Sequence, residues 1–179
     1  MPVTTVKRVD DLPDFTDYAM KGRTYRFLEK EPLYPFGFGL SYTRFAYALR
    51  EMPQELPAGG DLTFRASVTN TGERVSDAVL QVYLTDKAAS VRVPVRQLVW
   101  FAREEAVAPG ETRELTVTVP ARAMAVVNED GSCQVEPGAF TLSFGGVQPD
   151  AVSLRLSGGA AVTAEFTLTG DAAVPVPYI

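Results

Sequence analysis

Leu62-Thr63-Phe64-Arg65-Ala66-Ser67-Val68-Thr69-Asn70-Thr71-Gly72 alternates apolar and polar residues over its first eight positions and ends in turn formers. A period of two puts Leu62, Phe64, Ala66 and Val68 on one buried face of a β-strand and leaves the other face wet. Asn and Gly tolerate the positive φ of a tight reversal, so a turn and a hairpin are expected to follow.

The same pattern recurs outward from this strand. In Ala78 to Thr85, Leu80, Val82 and Leu84 oppose Val79, Gln81 and Tyr83, and apolar groups on both sides imply cover on both faces. In Val95 to Arg103, Leu98, Trp100 and Ala102 oppose Val99 and Phe101. Pro109-Gly110-Glu111 turns the chain into Leu115, Val117 and Val119, and Phe140, Leu142 and Phe144 form another core-facing strand. Tyr42 to Leu49 reads as the first sandwich strand; Val152, Leu154 and Leu156, then Val162, Ala164, Phe166 and Leu168, read as the last two. Helix is expected only over Pro120 to Val127. Short strands with turns between them imply an all-β antiparallel sandwich. Its core is expected to contain Phe64, Val68, Leu80, Val82, Leu98, Leu115, Val117, Phe140, Leu142 and Phe144.

Ahead of the strands lies Gly22-Arg23-Thr24-Tyr25-Arg26-Phe27, then Pro32-Leu33-Tyr34-Pro35-Phe36-Gly37-Phe38-Gly39-Leu40-Ser41-Tyr42. Rings need a surface to cover, while Gly and Pro forbid a regular helix, so this is an extended arm or shaped plug at a junction. Residues Arg23 to Glu29 are expected to be extended, and Pro2 to Val6 to form a short strand before the acidic loop Asp10 to Asp17.

Composition removes several functions. The 179 residues contain no histidine and one cysteine, Cys133, so intrachain disulfides and Ser-His or Cys-His pairs are excluded. A net charge of −5 without clustered cations argues against nucleic acid. No apolar run approaches the roughly 20 residues of a membrane span. Met1 to Val6 lack the basic start and apolar core of a secretion signal, which favours a soluble, cytoplasmic setting. Asp86, Asp130 and Asp171 lack the spacing of a calcium loop, and Gly145-Gly146 and Gly158-Gly159 lack the helix of a phosphate cradle; neither metal nor cofactor is expected.

The arm closely resembles the segment leading into the C-terminal fibronectin type III-like domain of glycoside hydrolase family 3, which contains β-glucosidases and β-xylosidases. The likeness continues through Val68-Thr69-Asn70-Thr71-Gly72, Val79-Leu80-Gln81-Val82-Tyr83-Leu84, Pro94-Val95-Arg96-Gln97-Leu98, Ala108-Pro109-Gly110-Glu111-Thr112 and Glu136-Pro137-Gly138-Ala139-Phe140, up to about Gly146. It implies an immunoglobulin/fibronectin type III-like β-sandwich at 42–157, preceded by an arm and the remnant of an α/β domain at 1–41 and followed by an extra strand and tail at 158–179. The leader most resembles the xylosidase-like branch.

The resemblance also implies that this chain is not itself an enzyme, because the family's catalytic carboxylates lie upstream of this domain. Asp10 with Asp11, Asp14 with Asp17, and Glu104 with Glu105 read as surface or turn groups, since adjacent carboxylates on a strand point to opposite faces. The implied role is an accessory one, bracing N-terminal catalytic domains; the alternative is a free-standing carbohydrate- or protein-binding module. Arg23, Tyr25, Phe27, Tyr34, Phe36, Phe38, Tyr42 and Trp100 are the candidate inter-domain or partner contacts. The rings of the plug suit either packing or sugar stacking, and its phenylalanines favour packing. Trp100 stands where the family usually has a small residue. Rings left without cover imply self-association, as a symmetric homodimer through the arm or through Val79 to Leu84.

Overall fold

The structure, a computed structural model, describes residues 1–177. Two sheets form the sandwich. One contains β1 (Phe45–Glu51), β3 (Leu62–Asn70) and β6 (Thr112–Val119) in the order β1-β3-β6. The other contains β2 (Glu55–Pro57), β4 (Ser76–Asp86), β5 (Gln97–Val107), β9 (Gly138–Gly145) and β10 (Ala161–Thr169) in the order β2-β10-β9-β4-β5. A third, small sheet joins β7 (Val126–Val127), β8 (Cys133–Val135) and β11 (Val174–Pro175).

The apolar sides of the two large sheets meet, which is why the period-two pattern appears on both. Leu62, Phe64, Ala66 and Val68 of β3 and Val117 and Val119 of β6 face Ala78, Leu80, Val82 and Leu84 of β4, Phe140, Leu142 and Phe144 of β9, and Phe166 and Leu168 of β10. The outer face of the first sheet is wet, as expected: Thr63 and Thr118 share a hydrogen bond of 3.0 Å, and Arg65 reaches Glu51 and Glu114.

Several expectations need correction. No hairpin follows Asn70-Thr71-Gly72, because β3 pairs with β1 and β6 and the turn carries the chain across to the other sheet. Gly72 does not adopt positive φ there; it provides space, since a Cβ would lie 2.2 Å from Thr43 Oγ1. Val152, Leu154 and Leu156 lie on a helix, α2 (Ala151–Ser157). Asp150 caps it by accepting from the amides of Val152 and Ser153, and Gly158 ends it at φ 61°, so the caps override the alternation. The helix expected over Pro120 to Val127 is a 3-10 turn, Ala121–Met124. The strand read over Val162 to Leu168 is β10, which lies between β9 and β2 and supplies Phe166 and Leu168 to the core.

Of the expected core, Leu98 and Leu115 are only half-buried. Leu115 still packs on the core. Leu98 is displaced by a β-bulge: Val82 pairs with Trp100 but Tyr83 with Leu98, so one residue of β5 is extra. Two residues then oppose one, Val99 and Trp100 both reach the core, and Leu98 turns to the outer face beside Tyr83.

That outer face is covered by the chain's own arm. Residues expected to be extended form one helical turn, α1 (Thr24–Phe27). It docks on β5 through Val95 N–H donating to Arg26 O at 2.7 Å, Arg26 Nη2 to Gln97 Oε1 at 2.8 Å, and Leu98 N–H to Tyr25 Oη at 3.2 Å. Tyr25 stacks on Phe36 with centroids 4.4 Å apart and meets Tyr83 edge-on at 6.1 Å. The leader is tied back in turn: the strand expected at Pro2 to Val6 is a single bridge between Thr5 and Tyr34.

Truncation of Leu80 or Phe140 to Ala is expected to cost about 2–5 kcal/mol, read from the urea midpoint, with Leu98→Ala well below both. An equal loss at Leu98 would contradict the bulge.

Candidate functional site

With no acid pair placed for chemistry, the site is sought in surfaces. Asp14 Oδ1 accepts from Thr16 N–H at 2.8 Å and Thr16 Oγ1 at 2.7 Å, and Asp17 Oδ1 accepts from Ala19 N–H at 2.8 Å. Asp11 accepts from Arg8 N–H and pairs with Lys30, while Glu104 and Glu105 lie on the irregular end of β5. All are turn or surface groups. Burial raises Asp86 above the usual carboxylate range, but its crevice is about 30 Å³, room for about one water molecule. Among the described residues no group of three or more His, Cys, Asp or Glu is placed to hold a metal, and no helix is long and apolar enough to cross a membrane.

The candidate contact residues divide. Tyr25 and Phe36 are spent on the sandwich, as above. Arg23 turns onto the leader, donating Nη2 to Asp14 O at 3.0 Å and to Asp17 O at 2.7 Å. Phe27 lies under Arg26, whose guanidinium carbon is 5.9 Å from the ring centre. Tyr34 and Phe38 pair at 5.2 Å, with Tyr34 partly exposed. Trp100 is half-buried against the core, so the large ring is accommodated by packing. Only Tyr42 projects freely, with 92% of its surface exposed.

The sequence reading missed the other open rings, Phe15 and Tyr18 in the leader and Phe101 on β5, as well as Leu40. Phe15 and Tyr18 sit in a polar loop where no periodicity flags them. Phe101 was legible as the residue facing away from Trp100.

Tyr42 stands on a loop that is held from beneath by Asn70, a fully buried residue. Asn70 Oδ1 accepts from Thr43 Oγ1 at 2.7 Å and from Gly72 N–H at 3.0 Å; its Nδ2 donates to Arg74 O at 2.7 Å and to Val107 O at 2.9 Å. Every hydrogen-bonding position of the amide is filled. The Ser41–Arg44 loop separates two hollows of about 390 Å³ and 410 Å³.

The larger-walled hollow, about 390 Å³, runs between this loop and β4. Tyr47 stands in its wall with its ring edge-on to Phe144 at 5.7 Å, and a Cβ on Gly146 would lie 2.2 Å from Tyr47 Oη, so only glycine admits the phenol there. Burial alone pushes the Tyr47 hydroxyl up to about 12. On the rim, Asp77 accepts from Ala106 N–H at 2.8 Å and from Arg103 Nε at 2.9 Å. Those bonds, first from Ala106 and then from Arg103, hold the Asp77 carboxyl below its ordinary value. They also brace the end of β5, where Ala106 takes φ 51°.

Comparison with known proteins adds the context. Residues 78–148 match the model of the fibronectin type III-like domain. A β-xylosidase from Formosa agariphila is 40% identical over 81% of this chain, and a periplasmic β-glucosidase from Salmonella typhimurium is 31% identical over 81%. The match takes up 19% and 20% of those proteins, so the chain spans about a fifth of the length of the curated relatives it matches. Among solved structures, a β-glucosidase from Listeria innocua superposes with a TM-score of 0.69 at 28% identity, covering 83% of this chain and 19% of that one. A β-glucosidase from Erythrobacter marinus reaches 0.72 at 28% identity over 93% of this chain and 21% of its own.

Because the folded-state pKa of Asp77 is depressed, its bonds are intact above the ordinary carboxylate value and are lost as pH falls through the lowered one. The Ala106 amide resonance should therefore shift only below the range of exposed aspartates. A midpoint at or above that range would mean that the contact does not form.

Proposed function

We propose, for a chain whose residues 78–148 are a fibronectin type III-like domain, that it serves as a non-catalytic accessory domain of a β-glycosidase of the xylosidase or glucosidase type. The observation that carries this reading is the match of most of the chain to about a fifth of glycosidases. The leader's acid groups suit this reading: Asp14 and Asp17 are tied into turns, whereas a retaining glycosidase needs two carboxylates about 5 Å apart beside a sugar-sized pocket.

In this reading the sandwich, with β10 included, is the folding unit, and the arm fastens it to catalytic domains. The inward half of the arm, Tyr25 and Phe36, fixes the arm to the sandwich. Its outward half supplies the contact: Tyr34, Phe38, Leu40, and the leader rings Phe15 and Tyr18. Arg23 holds the leader in place for that contact. Substrate choice belongs to the catalytic domains, and the leader's likeness to xylosidases favours xylosides.

Two measurements test the proposal. The 179-residue chain should not hydrolyse nitrophenyl β-xyloside or β-glucoside. Substituted for the matching fifth of the Formosa agariphila β-xylosidase, it should support activity and thermal stability that deletion of that fifth removes. Turnover by the chain alone, or an enzyme indifferent to the deletion, sinks the proposal. Light scattering distinguishes the other occupant of the outward rings: a concentration-dependent dimer would assign them to a second copy of the chain.

A further inference from the structure

We propose that the groove between the Ser41–Arg44 loop and β4 binds a short, hydroxyl-rich saccharide. The argument starts from what the walls require of an occupant. A pyranose offers an apolar face of C–H groups and an edge of hydroxyls, each both donor and acceptor. Its site therefore needs a ring to lie against and polar groups of both kinds at the edge. Tyr42 provides the ring, and almost nothing in the chain covers it. Asp77 and Arg103 provide the edge: the carboxylate accepts, and the guanidinium has donors beyond those it gives to Asp77.

Charge and size select further. The Asp77–Arg103 pair cancels its own charge, and Arg44 adds a further cationic donor to the wall, so a hydroxyl finds both acceptors and donors there. A volume of about 390 Å³ falls within the roughly 300–1,000 Å³ of small-molecule sites.

The wall argues against an apolar side chain from a protein partner. Tyr47 lines the hollow with its Oη beside Gly146 and without a hydrogen-bond partner among the described residues, so an apolar occupant that expels water would strand the hydroxyl. A sugar hydroxyl satisfies it. The frame is pre-organised, because Asn70 fixes the loop that carries Tyr42 and the cost of ordering it is met before any ligand arrives. This site does not depend on the accessory role, since every group belongs to the chain itself.

The test is a titration of the isotope-labelled chain with xylobiose, cellobiose and glucuronic acid, followed by amide and arginine side-chain resonances. Either neutral disaccharide is expected to give saturable shifts at Gly146, Gly159 and Arg103 Nε. Tyr42→Ala should weaken binding at least about tenfold and Tyr47→Phe several-fold. Val127→Ala, on β7 and away from the groove, should leave it unchanged. Tyr47→Phe keeps the ring on Phe144, so its melting temperature checks that the fold survives. Absence of shifts up to the solubility of both disaccharides overturns the proposal, as do shifts with glucuronic acid alone. Equal binding by Tyr42→Ala also overturns it. Shifts at the same amides that depend on protein concentration rather than sugar would assign the groove to a second copy and overturn it as well.

Discussion

One buried amide ties the three parts of this molecule together. Asn70 ends β3, yet its side chain points into the sandwich and bonds to Thr43 ahead of β1, to Gly72 and Arg74 in the crossover, and to Val107 at the end of β5. Its backbone adds Glu111 and Gly110, at 3.0 and 2.8 Å, in the turn that starts β6. Removing a side chain with four filled positions would leave several buried groups without partners, each carrying a desolvation cost of roughly 1–3 kcal/mol. The loop bearing Tyr42 and the β3–β4 and β5–β6 crossovers therefore depend on it.

The second constraint is the two-sided burial of β4. Its inner residues make the core, and its outer Gln81 and Tyr83 are buried as well. Tyr83 Oη donates to Gln81 Oε1 at 2.7 Å, and Gln81 Nε2 reaches Gly146 O at 3.3 Å. These polar groups satisfy one another, so the arm can lie over them with Tyr25 and Phe36 at no hydrogen-bonding loss. The arm is thus a third layer at this edge of the sandwich, and the groove lies where that layer stops.

Where side-chain alternation reports burial, the sequence was legible. β3, β4 and β9 bury every core residue expected of them, and the apolar residues on both sides of β4 announced a second cover. It was less informative where a local feature outweighs periodicity. The bulge in β5 shifts the register between Leu98 and Trp100 through a backbone event that no residue type announces. In α2, Asp150 and Gly158 were the readable signals, and they outweigh the alternation of Val152, Leu154 and Leu156, of which Val152 is buried and the two leucines are partly exposed. The groove was not legible, because Tyr42, Tyr47, Asp77, Arg103 and Gly146 come from distant parts of the chain and only the closed sandwich brings them to one hollow.

The position of β10 affects how the chain is made. β2 emerges well before its parallel partner at residues 167 to 169, and β9 keeps an unpaired edge until β10 arrives. During translation the β1-β3-β6 sheet and the β4-β5 pair can close on their own, while the larger sheet waits for β10. Such long-range closure is slow and holds an open strand edge available to neighbouring nascent chains. A stop codon ahead of β10 would thus produce a template for aggregation rather than a smaller sandwich.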